Sequence, residues 1–286
     1  MNWSDIGDAL FGGLPQYGAL LALVQNSVWA GAVLGIVGGL IGVFVIQRDM
    51  SFAVHGISEL SFAGAAAALL IGVDVVTGSL VGSLAAAVLI GWLGARARDR
   101  NSIIGVLMPF GLGLGILFLS LYSGRSANRF SLLTGQIVSV RTNELGALIV
   151  ISVLVLLALL FLWRPLRFDS LDPQAAAARG VPGRGMSLVF MVLLGLMVAV
   201  AVHIIGALLV MALLVTPAAA AMRISSGPLA VPLLAAGFGF VSAVGGILLA
   251  IAGTLPVSPY ITTISFVIYL VCRGVGSARE RRGVAR

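Results

Sequence analysis

The stretch MSLVFMVLLGLMVAVAVHIIGALLVMALLVTPAAAAM, residues 186–222, contains a single ionisable side chain, His203. An α-helix rises about 1.5 Å per residue, so about 20 apolar residues cross a bilayer's hydrocarbon core. This run is long enough for two passes, 186–203 and 205–222, and its only hint of a turn lies at His203 to Gly206. It reads as a tight hairpin or as a broken, re-entrant unit. Water does not tolerate so much contiguous apolar surface, whereas lipid does, provided the backbone satisfies its own hydrogen bonds as a helix.

The same pattern runs outward in both directions. Apolar segments near 18–46, 54–72, 75–95, 103–123, 144–163, 228–251 and 257–273 join the central pair to give nine spans, with eight as the alternative count. The chain of 286 residues is 60% hydrophobic and 9% charged, with a mean hydropathy of +1.14. These values exclude a soluble globular class. The expected fold is all-α and polytopic, one transmembrane domain over 1–286 with no internal boundary. The opening sixteen residues contain Asp5 and Asp8 and no basic residue, so no signal-peptide pattern is expected there. The segment 124–143, with Arg125, Arg129, Gln136 and Arg141 around a short apolar stretch, is too short to span and is expected to lie on, or dip into, the outer face.

Charge gives the expected sidedness. All 17 basic residues are arginine and the formal net charge is +7. In a soluble chain that balance suggests nucleic acid; here the arginines flank apolar runs, so no nucleic-acid partner is expected. With the N-terminus outside, only Arg125, Arg129 and Arg141 fall outside and the other fourteen fall within, as the positive-inside rule favours. The basic C-terminal tail is then cytoplasmic, where it can also touch anionic lipid. Glycines at three- or four-residue spacing, such as Gly35, Gly38, Gly39 and Gly42, or Gly111 and Gly115, suit close helix packing. Cys272 is the single cysteine and permits no internal disulfide.

Ionisable groups inside spans are costly, so they are the first candidates for function. His55 and Glu59 stand four apart in SFAVHGISELSFAG (51–64), hence on one face of a helix, about one turn from each other. Imidazole nitrogen and carboxylate oxygen together suit a first-row divalent cation; the alternative is a hydrogen-bonded pair that locks two helices. Ser51, Ser58 and Ser61 suggest a wet stripe beside them. His203 is more often structural when alone, but is also a candidate for the path. Asp74 reads as a loop acid near the outer interface, or less favourably as an acid at the outer mouth of that path. In FDSLDPQAAAARGVP (168–182), Asp172 caps a helix whose first residue is Pro173; the alanine run, including Ala176 and Ala177, extends it, and Gly180 with Pro182 ends it. The result is a short, rigid knob near 172–180, or simply a capped linker. There is no HExxH and no Walker A motif, so catalysis is not expected and any ATP hydrolysis belongs to another polypeptide.

Four segments in order resemble the membrane permeases of ABC importers for zinc, manganese or iron. They are RDMSFAVHGISELSFAG (48–64), NSIIGVLMPFGLGLGILFLS (101–120), FDSLDPQAAAARGVP (168–182) and IIGALLVMALLVTPAAAAMRIS (204–225). The resemblance implies an ABC-permease fold in the cell membrane, a homodimer, two copies of a cytoplasmic ATPase and an extracytoplasmic metal-binding protein. It makes 172–180 the coupling helix, with Asp172, Pro173, Ala176, Ala177 and Gly180 at the ATPase contact. The family commonly has an aspartate followed four residues later by a histidine; at those positions this chain has His55 and Glu59, both chemical types kept but exchanged. The cargo is then a transported Zn2+, Mn2+ or Fe2+, with zinc favoured on imidazole chemistry, and no permanently bound cofactor. The rival readings are a proton-coupled secondary cation transporter, an ABC permease for a siderophore-like ligand, and a purely structural membrane scaffold.

Overall fold

A computed structural model describes residues 17–93, 97–123, 137, 140–252 and 256–284. The expected interfacial segment at 124–143 falls mostly outside them. The described residues form eleven helices: α1 (Tyr17–Leu23), α2 (Gln25–Gln47), α3 (Ser51–Ile71), α4 (Val75–Leu93), α5 (Ala97–Leu121), α6 (Thr142–Leu171), α7 (Pro173–Ala178), α8 (Gly183–Ile205), α9 (Ala207–Ile224), α10 (Ala230–Ala252) and α11 (Val257–Val284). Eight of them are long and apolar enough to cross a membrane, and residues 209–224 of α9 form a shorter apolar helix. The alternative count of eight therefore matches the long spans, and the ninth expected span is this shorter one. Val24 interrupts the first expected span, separating α1 from α2.

Side-chain exposure fits a lipid solvent. Phe161 is 82%, Trp92 74% and Leu233 70% exposed, large apolar groups that water would drive inward.

The chain forms two compact units. Among the described residues, the first comprises 17–43, 137, 140–146, 212–252 and 256–284. In it α2 and α10 approach at their glycines: a Cβ on Gly35 would strike the backbone of Gly239, and one on Gly39 the backbone of Ala235. This is the small-residue packing the spacing predicts.

Among the described residues, the second unit comprises 44–93, 97–123 and 147–211. Its frame is the hairpin α3–α4. Gly72 ends α3 in the left-handed region (φ 75°), and Asp74 then caps α4, its Oδ2 accepting the Thr77 N–H at 2.9 Å and the Thr77 hydroxyl at 3.0 Å. Gly64, Gly78 and Gly82 allow backbone-to-backbone approach, since a Cβ on Gly64 would meet the Gly78 carbonyl and one on Gly82 the Leu60 carbonyl. Helix α8 runs antiparallel to α4, with Gly91 beside Leu188, Gly195 beside Ser83 and Ser79 bonded to Ala199. It is the most enclosed span, 78% buried against 22% for α6. Gly206 (φ 83°, ψ 153°) breaks α8 from α9 in one residue, a conformation that favours glycine. The turn suggested by the sequence is thus a helix break.

Candidate functional site

The second and third turns of α3 carry the site. His55 Nε2 lies 3.5 Å from Glu59 Oε1, with the imidazole 27% and the carboxylate 5% exposed. One helical turn brings them together, as their i, i+4 spacing requires. Glu59 is enclosed partly because α5 presses against its backbone: Gly111 sits so close that an added Cβ would be 3.0 Å from the Glu59 carbonyl carbon. His55 Nδ1 is buried and has no hydrogen-bond partner in the structure. The pair therefore offers a carboxylate oxygen and imidazole nitrogens, the mixture a first-row divalent cation accepts.

The serines have a different role from the one their spacing suggests. Ser58 is 1% and Ser61 0% exposed. Ser58 Oγ donates to the His55 carbonyl at 3.0 Å and lies 3.5 Å from the Ala207 carbonyl. Ser61 and Ser79 hydroxyls are 2.6 Å apart, and Ser79 donates to Ala199 at 2.9 Å. These bonds tie α3, α4 and α8 together in place of a wet stripe, because a hydroxyl buried between helices bonds the nearest carbonyl.

His203 is 7% exposed in the last turn of α8. The contact of Gly82 with Leu60 sets Glu59 level with residue 83 of α4, and the Ser79–Ala199 bond sets His203 level with residue 75. The two levels differ by about 12 Å along the bundle. His203 accordingly does not join His55 and Glu59, and among the described residues no three His, Cys, Asp or Glu side chains cluster to hold a metal ion. Its neighbour is Asp74. The Thr77 N–H holds the Asp74 carboxyl below the ordinary aspartate range against some desolvation, with the Thr77 hydroxyl and the nearby His203 adding to the effect.

The connection 172–180 folds as its sequence predicts. Asp172 Oδ1 accepts the Ala175 N–H at 2.9 Å, Pro173 opens α7, and Ala176 is buried while Asp172 and Ala177 are exposed. Gly180 turns the chain away at φ 81°. Nearby is a pair that sequence spacing does not reveal. Arg48 Nη1, just after α2, donates to Asp169 Oδ2 at 2.8 Å, with side chains 8% and 6% exposed. The arginine count reads Arg48 only as an inner-side residue; the structure buries it in an ion pair 121 residues apart in sequence.

Known proteins share this architecture. The chain is 31% identical to the manganese transport system membrane protein MntC of Halalkalibacterium halodurans over 225 residues, covering 78% of this chain and 77% of the relative. It is 30% identical to the manganese import system permease protein ScaB of Streptococcus parasanguinis over 260 residues, 91% of each chain. The structure of PsaBC from Streptococcus pneumoniae in complex with Fab superposes with a TM-score of 0.81 at 27% identity, covering 91% of this chain and 95% of that one. The sequence profile of the ABC 3 transport family matches residues 21–275, and this chain belongs to that family.

Proposed function

We propose that the chain is the membrane-spanning subunit of an ATP-driven importer of a divalent first-row cation, with manganese as cargo. The observation that carries the reading is the His55–Glu59 pair, the acid buried and the imidazole partly open. Manganese is named for relatives at about 30% identity, MntC and ScaB. A carboxylate suits manganese at least as well as an imidazole suits zinc, and manganese binds such mixed sites most weakly of the first-row ions. Weak binding favours a path, since cargo must leave as well as arrive. The zinc preference drawn from imidazole alone gives way to manganese on this ground.

Each chain supplies one such pair, so two copies around a shared path would supply four ligands. Membership of an ABC family weighs against the proton-coupled alternative and supports hydrolysis in a separate ATPase. In our reading, α7 docks on that ATPase through Asp172, Pro173, Ala176, Ala177 and Gly180, and an extracytoplasmic protein delivers the ion. The N-terminus is outside and the C-terminus cytoplasmic. ATP-driven closure moves α7 and, through the adjoining Arg48–Asp169 pair, the start of α3. Asp74 and His203 lie near each other at the α3–α4 turn end of the second unit, and in our reading they are a secondary station on the same path.

The test is Mn2+ uptake into vesicles containing the chain and its ATPase, with Zn2+ as competitor. His55→Ala and Glu59→Ala should each lower Mn2+ flux at least about tenfold, in line with the loss of a metal ligand, and His203→Ala by less. Undiminished flux in both of the first two variants would remove the site.

A further inference from the structure

Beside α7, within the second unit, lies a cavity of about 380 Å³ whose polar lining includes Arg48, Arg100, Arg184, Asp49, Asp169 and Ser187. Three guanidinium groups face two carboxylates, so the lining carries an excess positive charge. Asp169 is already taken by Arg48. Arg100 is 9% exposed and donates from Nη2 to the Arg48 carbonyl at 3.2 Å. The Nε atoms of Arg48 and Arg100 are buried and have no hydrogen-bond partner. A buried donor on a cation costs free energy unless something accepts from it. The 23-residue helix α8 adds its N-terminus at Gly183, where Pro182 provides no side-chain cap. Its positive dipole end favours an anion.

We propose that this cavity seats the phosphate of an anionic phospholipid. Two features favour a lipid over an acidic side chain from a protein partner. Phe52, two residues after the cavity residue Met50, and Trp92, directly after the cavity residue Gly91, are 63% and 74% exposed. Large apolar groups beside a basic pocket suit acyl chains beside a headgroup, and interfacial aromatics mark that depth in a bilayer. The proposal goes beyond the transport reading and does not depend on it, because it concerns lipid occupancy and not cation flux.

Native mass spectrometry of the full chain in detergent, with phosphatidylglycerol and phosphatidylcholine of matched acyl chains, tests it. The wild type should retain phosphatidylglycerol about fivefold or more over phosphatidylcholine. Arg100→Gln with Arg184→Gln should bring the two lipids to parity. Arg184→Gln alone, at an exposed position that leaves the buried bonds intact, should give an intermediate preference and guards against a folding defect in the double variant. Equal retention by the wild type, or an unchanged preference in both variants, overturns the proposal. So does displacement by equimolar inorganic phosphate, which would make free phosphate the ligand. Release of the lipid on adding the ATPase would likewise overturn it, assigning the cavity to a carboxylate of that partner.

Discussion

Arg48 and Asp169 show how much a single residue's environment depends on distant chain. Each is a charge at the end of a span, yet both are buried against each other. Removing one partner leaves the other uncompensated in a dry site, which costs more than removing both. Asp169→Ala should therefore lower stability by about 3 kcal/mol, read as a fall in thermal midpoint in detergent. The double variant Arg48→Met with Asp169→Leu should recover most of that loss. If the double variant melts as low as the single one, the pair is not the source of the stability. His55 and Glu59 were legible without structure because their relation is local: four residues on a helix leave only one geometry. The Arg48–Asp169 contact was not, because nothing in either segment encodes a partner 121 positions away.

At the level of elements, glycine spacing announced close packing but not which glycines pack. In GLGLG (111–115), Gly111 abuts the Glu59 backbone and Gly115 the Phe62 ring, while Gly113 has open space around it. That follows from helical periodicity: residues four apart share a face and the one between does not. Gly111→Val should push α5 away from α3, costing about 1–3 kcal/mol as overpacking does, and should weaken Mn2+ uptake through displaced Glu59. Gly113→Val should leave uptake near the wild-type level. Equal uptake by the two variants would contradict the contact. The short α7 was readable in full, from Asp172 and Pro173 to Gly180, because capping is written in consecutive residues. Asp74, read as a loop acid, is also a cap, and the signal was present: Asp at the residue before a helix, with an N–H three residues on to accept.

For the whole molecule, the arginine distribution predicts α7 on the inner side and the α3–α4 turn on the outer one. With Cys272 replaced by alanine, Val73→Cys should react with a membrane-impermeant maleimide in right-side-out vesicles, and Ala177→Cys only after the membrane is opened. Both positions are exposed, so the reversed pattern would invert the topology. The number of passes illustrates a limit of hydropathy. A 37-residue apolar run implies two crossings by length, but where it breaks depends on Gly206 adopting a positive φ, and only packing selects that over a continuous helix.

Composition, apolar run length, helical spacing and consecutive capping residues were enough to determine an all-helical membrane protein, the acid–imidazole pair and the short connecting helix. Each of these depends on interactions within a few residues or on bulk transfer from water to lipid, both of which are properties of the chain itself. Tertiary structure alone decided that Ser58 and Ser61 are interhelical ties, that His203 stands a dozen or so ångströms from the pair's level, and that Arg48 and Arg100 line a basic cavity. Those outcomes depend on which helices become neighbours, and the desolvation cost of a buried polar group is set by the partner that arrives, not by the segment that carries it.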